Sequence, residues 1–370
     1  MRVLLAGAGT AGHVNPLLST AKVLRDKGIQ VFVLGTETGI ETTLVPQNGF
    51  ELLTIEKLVF PRSNPMRLFS LPFKLKALVN QVCAYIREKQ IDVVCGFGGY
   101  VSAPAYLAAH KLNIPIVIHE QNAKAGMANK LGARFANTVA LTFETDLKAR
   151  KGKTFICGMP LREDIVTLHK ALEKDSSLRM QAFKFFGLDE NRKTMLVTGG
   201  SLGALSINSA FTQGMKFIPD EVQVIHLAGR GKAEKVLEAV KEHDLEDRYK
   251  VFEYLNDMHY AYACADLIVC RCGATTVAEI SALGIPAIYV PLPIGNGEQS
   301  LNARGAVEKG AAIMILDKHF NDLAVKDCVE ILLDYKGDRS LEKMRVSNTN
   351  AVIDAAQRLA EEICLAGGKR

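Results

Sequence analysis

Long apolar runs are missing from this chain of 370 residues, and none approaches the ~20 residues that a membrane-spanning helix needs. The opening residues, MRVLLAGAG, enter a glycine-rich turn too soon for a secretory signal peptide, and they predict a first β-strand instead. We therefore expect a protein without a spanning segment that stays in the cytosol.

Cysteine patterns for zinc are missing too. Cys270 and Cys272 lie two residues apart, but no second pair at a zinc-site spacing accompanies them. Other cysteines lie in apolar segments, where a free thiol packs like a small hydrophobic group. These are Cys83, Cys95, Cys264 and Cys328. The net charge of +5 is mild. We expect no metal site and no nucleic-acid partner.

The composition, 48% hydrophobic and 23% charged, is typical of a globular protein, and the length is enough for two domains. A strand at 1–6 runs into the glycine turn 7–12 and a helix, and a strand at 195–198 runs into the glycine turn 199–204 and a helix. This recurrence predicts an α/β protein of two Rossmann-like, doubly wound domains that face each other. We expect the domains to span 1–160 and 161–345, with a C-terminal helix within 346–370 that returns to the first domain.

The most informative stretch is 266–302, in which an apolar strand, a turn at Gly273 and a helix starting near Ala274 succeed one another. The free N–H groups of Thr275 and Thr276 would attract an anion at the carboxyl edge of a parallel sheet. Glu279, one turn later, would accept hydrogen bonds from sugar or ribose hydroxyls. An anion site beside a hydroxyl site indicates a nucleotide sugar. The alternative is an ordinary βα turn with Glu279 on a solvated face.

The first glycine turn also matches the G-x-G-x-x-G dinucleotide fingerprint, and Glu37 after the second strand fits its ribose-binding acid. An NAD-dependent dehydrogenase or a non-catalytic nucleotide-binding module is therefore a competing interpretation. The second glycine turn and the helix at Thr275 count against it, because a dehydrogenase needs one dinucleotide site only.

Polar residues follow the predicted strands of the first domain. His13, Tyr100, Glu120 and Asn122 all lie in turns at carboxyl ends of these strands, so we expect them to line one ligand crevice.

Residues 60–76 mix large apolar and basic side chains without a core-like period, and prolines interrupt them. Such a surface suits contact with anionic lipid. The predicted membrane patch comprises Arg67, Leu68, Phe69, Phe73, Lys74 and Lys76. From Leu75 onward, the apolar spacing predicts a helix that faces the core.

Taken together, the motifs resemble those of the bacterial MurG family. The matching segments are GTAGHVNP (9–16), GFGGYVSAP (96–104), HEQN (119–122), GMPLR (158–162), GGSLGA (199–204), CRCGATTVAE (270–279) and EQSLNA (298–303). Ala8, Ala11 and Leu202 depart from the family pattern, which usually has glycine, glycine and glutamine there.

The resemblance implies the GT-B fold, a UDP-GlcNAc donor held mainly by the second domain, and an undecaprenyl-diphosphate-linked MurNAc-peptide acceptor, lipid I. The implied reaction transfers GlcNAc to the C4 hydroxyl with inversion, giving lipid II for peptidoglycan, at the cytoplasmic face of the bacterial plasma membrane. Another glycolipid transferase or a UDP-GlcNAc epimerase remains the alternative within this fold, although an epimerase has no use for the 60–76 surface.

His13 is our candidate base, because a neutral imidazole is well suited to accept a proton near neutral pH. His13 orienting the loop or the donor diphosphate is the alternative. Glu120 is the rival base, or it holds acceptor hydroxyls. With Tyr100, these two residues form the expected acceptor site.

The resemblance implies that Glu279 accepts hydrogen bonds from the ribose hydroxyls and that Leu255 lies against uracil. It also implies that Gln299 and Asn122 contact GlcNAc. The sequence has no Asp-x-Asp pair to hold a divalent cation, so we expect helix N-termini and Arg162 to stabilise the leaving UDP, without a cofactor. The full expected donor set is Thr10, Ala11, Gly12, Asn122, Arg162, Ser201, Leu255, Ala274, Thr275, Thr276, Glu279 and Gln299.

Overall fold

The computed structural model describes residues 1–57, 71–172, 174, 177–200, 202–293, 297–337, 340–347 and 352–368. The chain forms two compact units. Unit 1 comprises Met1–Arg162 and Val352–Arg370, and unit 2 comprises Glu163–Ala351.

Unit 1 is built on a parallel sheet of seven strands. The strands are β1 (Arg2–Ala6), β2 (Gln30–Thr36), β3 (Glu51–Ile55), β4 (Val93–Gly96), β5 (Ile116–Glu120), β6 (Thr138–Leu141) and β7 (Lys153–Ile156). The helices between them are α1 (Ala11–Asp26), α2 (Glu41–Gln47), α3 (Leu71–Glu88), α4 (Ser102–Lys111) and α5 (Met127–Gly132). The strand order is β3-β2-β1-β4-β5-β6-β7.

Unit 2 repeats this architecture with a parallel sheet of six strands in the order β10-β9-β8-β11-β12-β13. The strands are β8 (Lys193–Thr198), β9 (Val222–Leu227), β10 (Tyr249–Phe252), β11 (Leu267–Cys270), β12 (Ala287–Tyr289) and β13 (Ala312–Met314). The helices are α6 (Glu163–Leu172), α7 (Ser177–Phe186), α8 (Leu205–Gly214), α9 (Glu234–Glu242), α10 (Met258–Cys264), α11 (Ala274–Ala282), α12 (Glu298–Glu308), α13 (Asp322–Leu333) and α14 (Ser340–Ser347).

The last helix, α15 (Ala355–Gly367), belongs to unit 1. Its residues Leu359, Ala360 and Ile363 are fully buried in the same apolar cluster as Val3 and Leu5 of β1. The helix therefore packs with α1 on one face of the unit 1 sheet, although about 190 residues of unit 2 precede it in sequence.

The central strands read as continuous apolar runs because helices cover both faces of each sheet. In unit 1, Leu4 packs in one apolar cluster and Leu5 in another on the opposite face. Alternate residues of a strand point to opposite faces, so β1 separates two layers of core. The sequence identified this strand, but it did not predict the edge strand β3 or the strand β6.

Each sheet has a topological switch point, where successive connections leave in opposite directions. In unit 1 it lies between β1 and β4, and in unit 2 between β8 and β11. Ligands of doubly wound sheets bind outside the carboxyl ends of the strands at such points. The turns 7–10 and 97–101 meet this description in unit 1, as do the turns 199–204 and 271–273 in unit 2.

No helix among the described residues is both long enough and apolar enough to cross a bilayer.

Candidate functional site

In unit 1, His13 lies in the first turn of α1, immediately after the glycine turn. Its Nδ1 is 2.9 Å from Thr10 Oγ1, and this is the ring's only hydrogen bond to a described residue. When Nδ1–H donates to Thr10, Nε2 carries the lone pair that a base requires. Withdrawal from water lowers the pKa of His13 to about 4, although the nearby Glu41 carboxylate opposes the shift. The imidazole is therefore neutral at neutral pH.

A carboxylate that the sequence did not single out fastens the glycine turn. Glu41, at the start of α2, is fully buried and accepts hydrogen bonds from Gly9 N (3.1 Å), Thr36 N (3.0 Å) and Thr36 Oγ1 (2.6 Å). These hydrogen bonds outweigh burial and lower the pKa of Glu41. Glu37, the candidate ribose acid, is exposed. Because Glu41 occupies the Gly9 N–H, this turn keeps one donor fewer for a dinucleotide pyrophosphate.

The turn after β4 supports the His13 ring. A methyl group placed on Gly98 would lie 3.2 Å from His13 Cδ2 and 3.6 Å from Asn129 Nδ2, and the φ of Gly98 is +88°. Ser102 Oγ donates to Gly98 O at 2.7 Å and fixes this turn. Close approach and positive φ together require glycine here. Neither Ala8 nor Ala11 has a positive φ, so the first turn accommodates both alanines.

Glu120, the rival base, is only 2% exposed. Its carboxylate accepts hydrogen bonds from Asn122 N (3.0 Å), Gly126 N (3.0 Å) and Asn129 Nδ2 (2.9 Å). Burial raises the pKa of Glu120 against these hydrogen bonds. Tyr100, by contrast, is 47% exposed, with Lys57 Nζ 5.5 Å from its ring centroid.

His119, beside Glu120, is fully buried, and its Nε2 lies 3.0 Å from Gly158 O. Burial lowers the pKa of His119 to about 4, whereas an unfolded histidine titrates near 6.5. The unfolded chain therefore binds more protons between these pH values, and stability falls as the pH falls through this window.

We expect that lowering the pH from 7 to about 5 costs unit 1 on the order of 2 kcal/mol through His119 alone. Urea unfolding at the two pH values measures this difference. His119→Gln, which cannot titrate, should shrink the difference, and the exposed His243→Asn should leave it unchanged. An equal pH dependence in His119→Gln and the parent chain would contradict the assignment.

In unit 2, the predicted helix start is the N-terminus of α11. Gly273 is its N-cap and provides no side-chain cap, so the first N–H groups of the helix remain available to an anion. Thr275 and Thr276 are partly exposed there. Glu279 lies on the same helix, 6% exposed, and accepts a hydrogen bond from Tyr262 O–H at 2.9 Å. The solvated-face alternative for Glu279 is therefore wrong.

Arg271 organises this edge of the sheet, although no role for it was predicted from sequence. Arg271 is 9% exposed, and its guanidinium pairs with Asp317 at 2.5 Å and donates to Ser206 Oγ at 2.8 Å. It also donates to Val290 O at 3.0 Å. Arg271 thus ties α8 and the segments that follow β12 and β13 to the turn that precedes α11.

The other residues of unit 2 predicted to bind UDP-GlcNAc lie in a turn or in α12. Leu255, after β10, is partly exposed. Gln299 Oε1 accepts a hydrogen bond from Leu292 N at 3.0 Å. Leu202 is 80% exposed, and Lys232 Nζ donates to its carbonyl at 2.7 Å. Ser201 lies outside the described residues.

The structure thus groups the predicted residues within each unit. Thr10, Ala11, Gly12 and His13 share the first turn of α1, and Asn122 adjoins Glu120. Ala274, Thr275, Thr276 and Glu279 share α11. Arg162 is partly buried at the last position of the first unit 1 segment. In the predicted membrane patch, Phe73, Lys74 and Lys76 are exposed on α3, whereas Arg67, Leu68 and Phe69 lie outside the described residues.

The chain matches the glycosyltransferase family 28 N-terminal domain over residues 3–141 and the family 28 C-terminal domain over residues 194–359. MurG from Acinetobacter baumannii superposes with a TM-score of 0.77 at 29% identity, over 98% of this chain and 99% of that one. A putative UDP-N-acetylglucosamine 2-epimerase from Listeria monocytogenes superposes with a TM-score of 0.70 at 16% identity, over 100% and 97%, and this likeness concerns the fold alone. Two parallel α/β units with these matches define a glycosyltransferase of the GT-B fold class.

A protein of Bifidobacterium longum (strain DJO10A) is 44% identical over 98% of this chain and 96% of its own length. Its name is UDP-N-acetylglucosamine–N-acetylmuramyl-(pentapeptide) pyrophosphoryl-undecaprenol N-acetylglucosamine transferase. The chain belongs to the family of these transferases, the MurG family. The dehydrogenase interpretation of the first glycine turn is therefore wrong.

Proposed function

We propose that this chain transfers N-acetylglucosamine from UDP-N-acetylglucosamine to N-acetylmuramyl-(pentapeptide) pyrophosphoryl-undecaprenol, the step that makes lipid II for peptidoglycan. The observation that carries this proposal is the 44% sequence identity, over 98% of this chain, to a transferase of that name. The arrangement of side chains in each unit agrees with the chemistry.

Unit 2 holds the donor in this proposal. The N-terminus of α11 accepts the diphosphate, where the partial positive charge of the helix opposes the charge that grows on the leaving UDP. Glu279 lies one turn further along the same helix and accepts from the ribose hydroxyls. Tyr262 donates to the Glu279 carboxylate and thereby restricts its orientation.

Unit 1 supplies the base. His13 Nε2 takes the proton of the acceptor C4 hydroxyl while the hydroxyl oxygen attacks C1 of the sugar and the bond from C1 to UDP breaks. Attack from the face opposite the leaving group inverts the configuration at C1. Thr10 selects the required tautomer by accepting from Nδ1–H. The lowered pKa keeps the imidazole unprotonated at neutral pH.

The direct test supplies the full chain with UDP-N-acetylglucosamine labelled in the sugar and with the lipid-linked acceptor in detergent. We expect label in the lipid fraction, UDP in equal amount, and neither product without acceptor. Formation of the C2 epimer of the free nucleotide sugar without acceptor would indicate the epimerase instead, and a lack of label in lipid would refute the transfer.

We also propose that unit 1 contacts an anionic membrane surface through the beginning of α3, where the acceptor lipid resides. Phe73 is 77% exposed there, and Lys74 and Lys76 are exposed beside it. An apolar ring next to ammonium groups suits the interface of an anionic bilayer. Peripheral association with the cytoplasmic face of the plasma membrane follows from this proposal.

The double variant Lys74→Glu/Lys76→Glu should weaken binding to vesicles rich in anionic phospholipid by at least about tenfold at low salt, because each basic residue contributes about 1 kcal/mol. Lys235→Glu/Lys241→Glu on α9 of unit 2 makes the same change in net charge at exposed positions and should bind normally. Sedimentation with vesicles measures both. If both variants lose vesicle binding equally, net charge alone explains the loss. If Lys74→Glu/Lys76→Glu binds vesicles normally, these residues are not part of a membrane-binding surface.

A further inference from the structure

A chain of buried polar side chains runs beneath the turn that follows β5. Tyr106 of α4 donates through its hydroxyl to Asn129 Oδ1 at 2.7 Å, and Asn129 Nδ2 donates to Glu120 Oε2 at 2.9 Å and to His119 O at 3.2 Å. The exposures of Tyr106, Asn129 and Glu120 are 0%, 2% and 2%. We call these three residues the positioning chain.

The last member of the positioning chain, Glu120, accepts hydrogen bonds from the backbone of the loop 121–126. Glu120 Oε1 accepts from Asn122 N, and Glu120 Oε2 accepts from Gly126 N, both at 3.0 Å. One carboxylate thus fastens the loop near its beginning and at its end. The loop contains no helix or strand of its own, and it presents the partly exposed Asn122 and the exposed Lys124.

These contacts decide what Glu120 can do. With Asn129 as the third donor, both carboxylate oxygens are occupied inside the protein. A base must meet the acceptor hydroxyl and then carry its proton. Glu120 is only 2% exposed and already accepts from three donors inside the protein, so it is poorly placed to meet the acceptor hydroxyl.

We propose that Tyr106, Asn129 and Glu120 are positioning residues that hold the loop 121–126, and with it Asn122 and Lys124, in the shape that receives the lipid-linked diphosphate acceptor. Glu120 acts through the loop and exchanges no proton with substrate. The role in acceptor binding rests on the proposed function, whereas the fastening of the loop does not.

The same residues lie close to the proposed base. The backbone of Gly98 separates the His13 ring from the Asn129 amide, since a methyl group on Gly98 would contact both. Tyr106 lies against the preceding glycine, where a methyl group on Gly96 would overlap its hydroxyl. The positioning chain therefore also supports the turn on which His13 rests.

The test compares Tyr106→Phe and Glu120→Gln with Tyr85→Phe, in two independent measurements. Tyr85→Phe is the matched control, because it also removes a tyrosine hydroxyl that donates within unit 1, at 3.0 Å to Thr54 O, but far from the loop in sequence. The first measurement is amide hydrogen exchange of peptides covering 121–126 in the free protein. The second is steady-state kinetics for donor and acceptor, with the pH profile of kcat.

We expect exchange at 121–126 to accelerate by about 5–50-fold in Tyr106→Phe and Glu120→Gln, the factor for one or two lost hydrogen bonds. The acceptor KM should rise by a similar factor, with the donor KM within about twofold and the shape of the kcat profile unchanged. Tyr85→Phe should change neither measurement.

Unchanged exchange in a folded Tyr106→Phe would overturn the positioning chain. Near-complete loss of kcat at saturating acceptor in Glu120→Gln, with normal exchange, would make Glu120 a reacting group. Accelerated exchange with an unchanged acceptor KM would keep the fastening and remove the acceptor role. If Glu120→Gln fails to fold, Tyr106→Phe decides. Failure of the transferase activity in the parent chain would leave the exchange result standing and would concern the proposed function alone.

Discussion

His13→Ala should lower kcat by about 10²–10⁴-fold while the affinity for UDP-N-acetylglucosamine stays nearly unchanged, because general-base catalysis contributes a factor of this size. The hydrogen-bond geometry of the ring supports the assignment, and the pKa of the ring sets the expected pH dependence. Thr10 holds Nδ1 at 2.9 Å, which leaves Nε2 for the proton. The pKa of about 4 keeps the ring neutral, so we expect kcat/KM to change little between pH 7 and about 5.5 if the protein stays folded.

Two controls separate catalysis from binding. Thr10→Val removes the hydrogen bond that selects the tautomer but keeps the imidazole. Its kcat should therefore fall by only about tenfold, less than that of His13→Ala. Isothermal titration of His13→Ala with UDP measures donor binding without turnover. If the titration shows lost affinity while turnover at saturating donor is normal, His13 contacts the donor diphosphate and is not the base.

The sequence predicted well those features that depend on local pattern. The strand β1, the glycine turn and the first turn of α1 follow one another in sequence, and so do β11, Gly273 and the N-terminus of α11. Such βα units are encoded by an apolar run, a turn residue and a helical period within about a dozen residues. The two-domain α/β class followed from their recurrence, and the structure confirms it.

Residues that act through distant partners were not predicted. Glu41 closes a turn 32 positions away at Gly9, and Arg271 reaches Asp317 across the sheet. Nothing near Glu41 or Arg271 in sequence distinguishes them from solvated charges. A buried carboxylate or guanidinium is stable only when paired, and its partners are set by strand order, which the sequence alone leaves open. Glu120 was singled out for its place at a strand end, but its burial and hydrogen bonds required the structure.

Glu279→Ala should raise the KM and Kd for UDP-N-acetylglucosamine by about 10–100-fold, because a hydrogen bond to a charged group contributes about 1.5–3 kcal/mol. Glu279 is nearly buried on α11 with Tyr262 O–H as a donor, so the carboxylate is held before the ligand arrives. Tyr262→Phe keeps the charge of Glu279 but no longer fixes the orientation of its carboxylate, and we expect the donor affinity to fall by about fivefold. The turnover number at saturating donor should change little in both variants.

A binding cycle with nucleotide analogues tests whether the carboxylate meets the ribose itself. The parent chain should lose affinity when UDP is replaced by its 2′-deoxy or 3′-deoxy analogue, because one acceptor on Glu279 is then left without a donor. Glu279→Ala has already lost that acceptor, so it should bind UDP and the relevant deoxy analogue about equally. Penalties of the same size in the parent chain and the variant would mean that Glu279 and the ribose do not interact. The lost affinity would then come from a disturbed N-terminus of α11, and the N–H groups there would hold the nucleotide through its diphosphate alone.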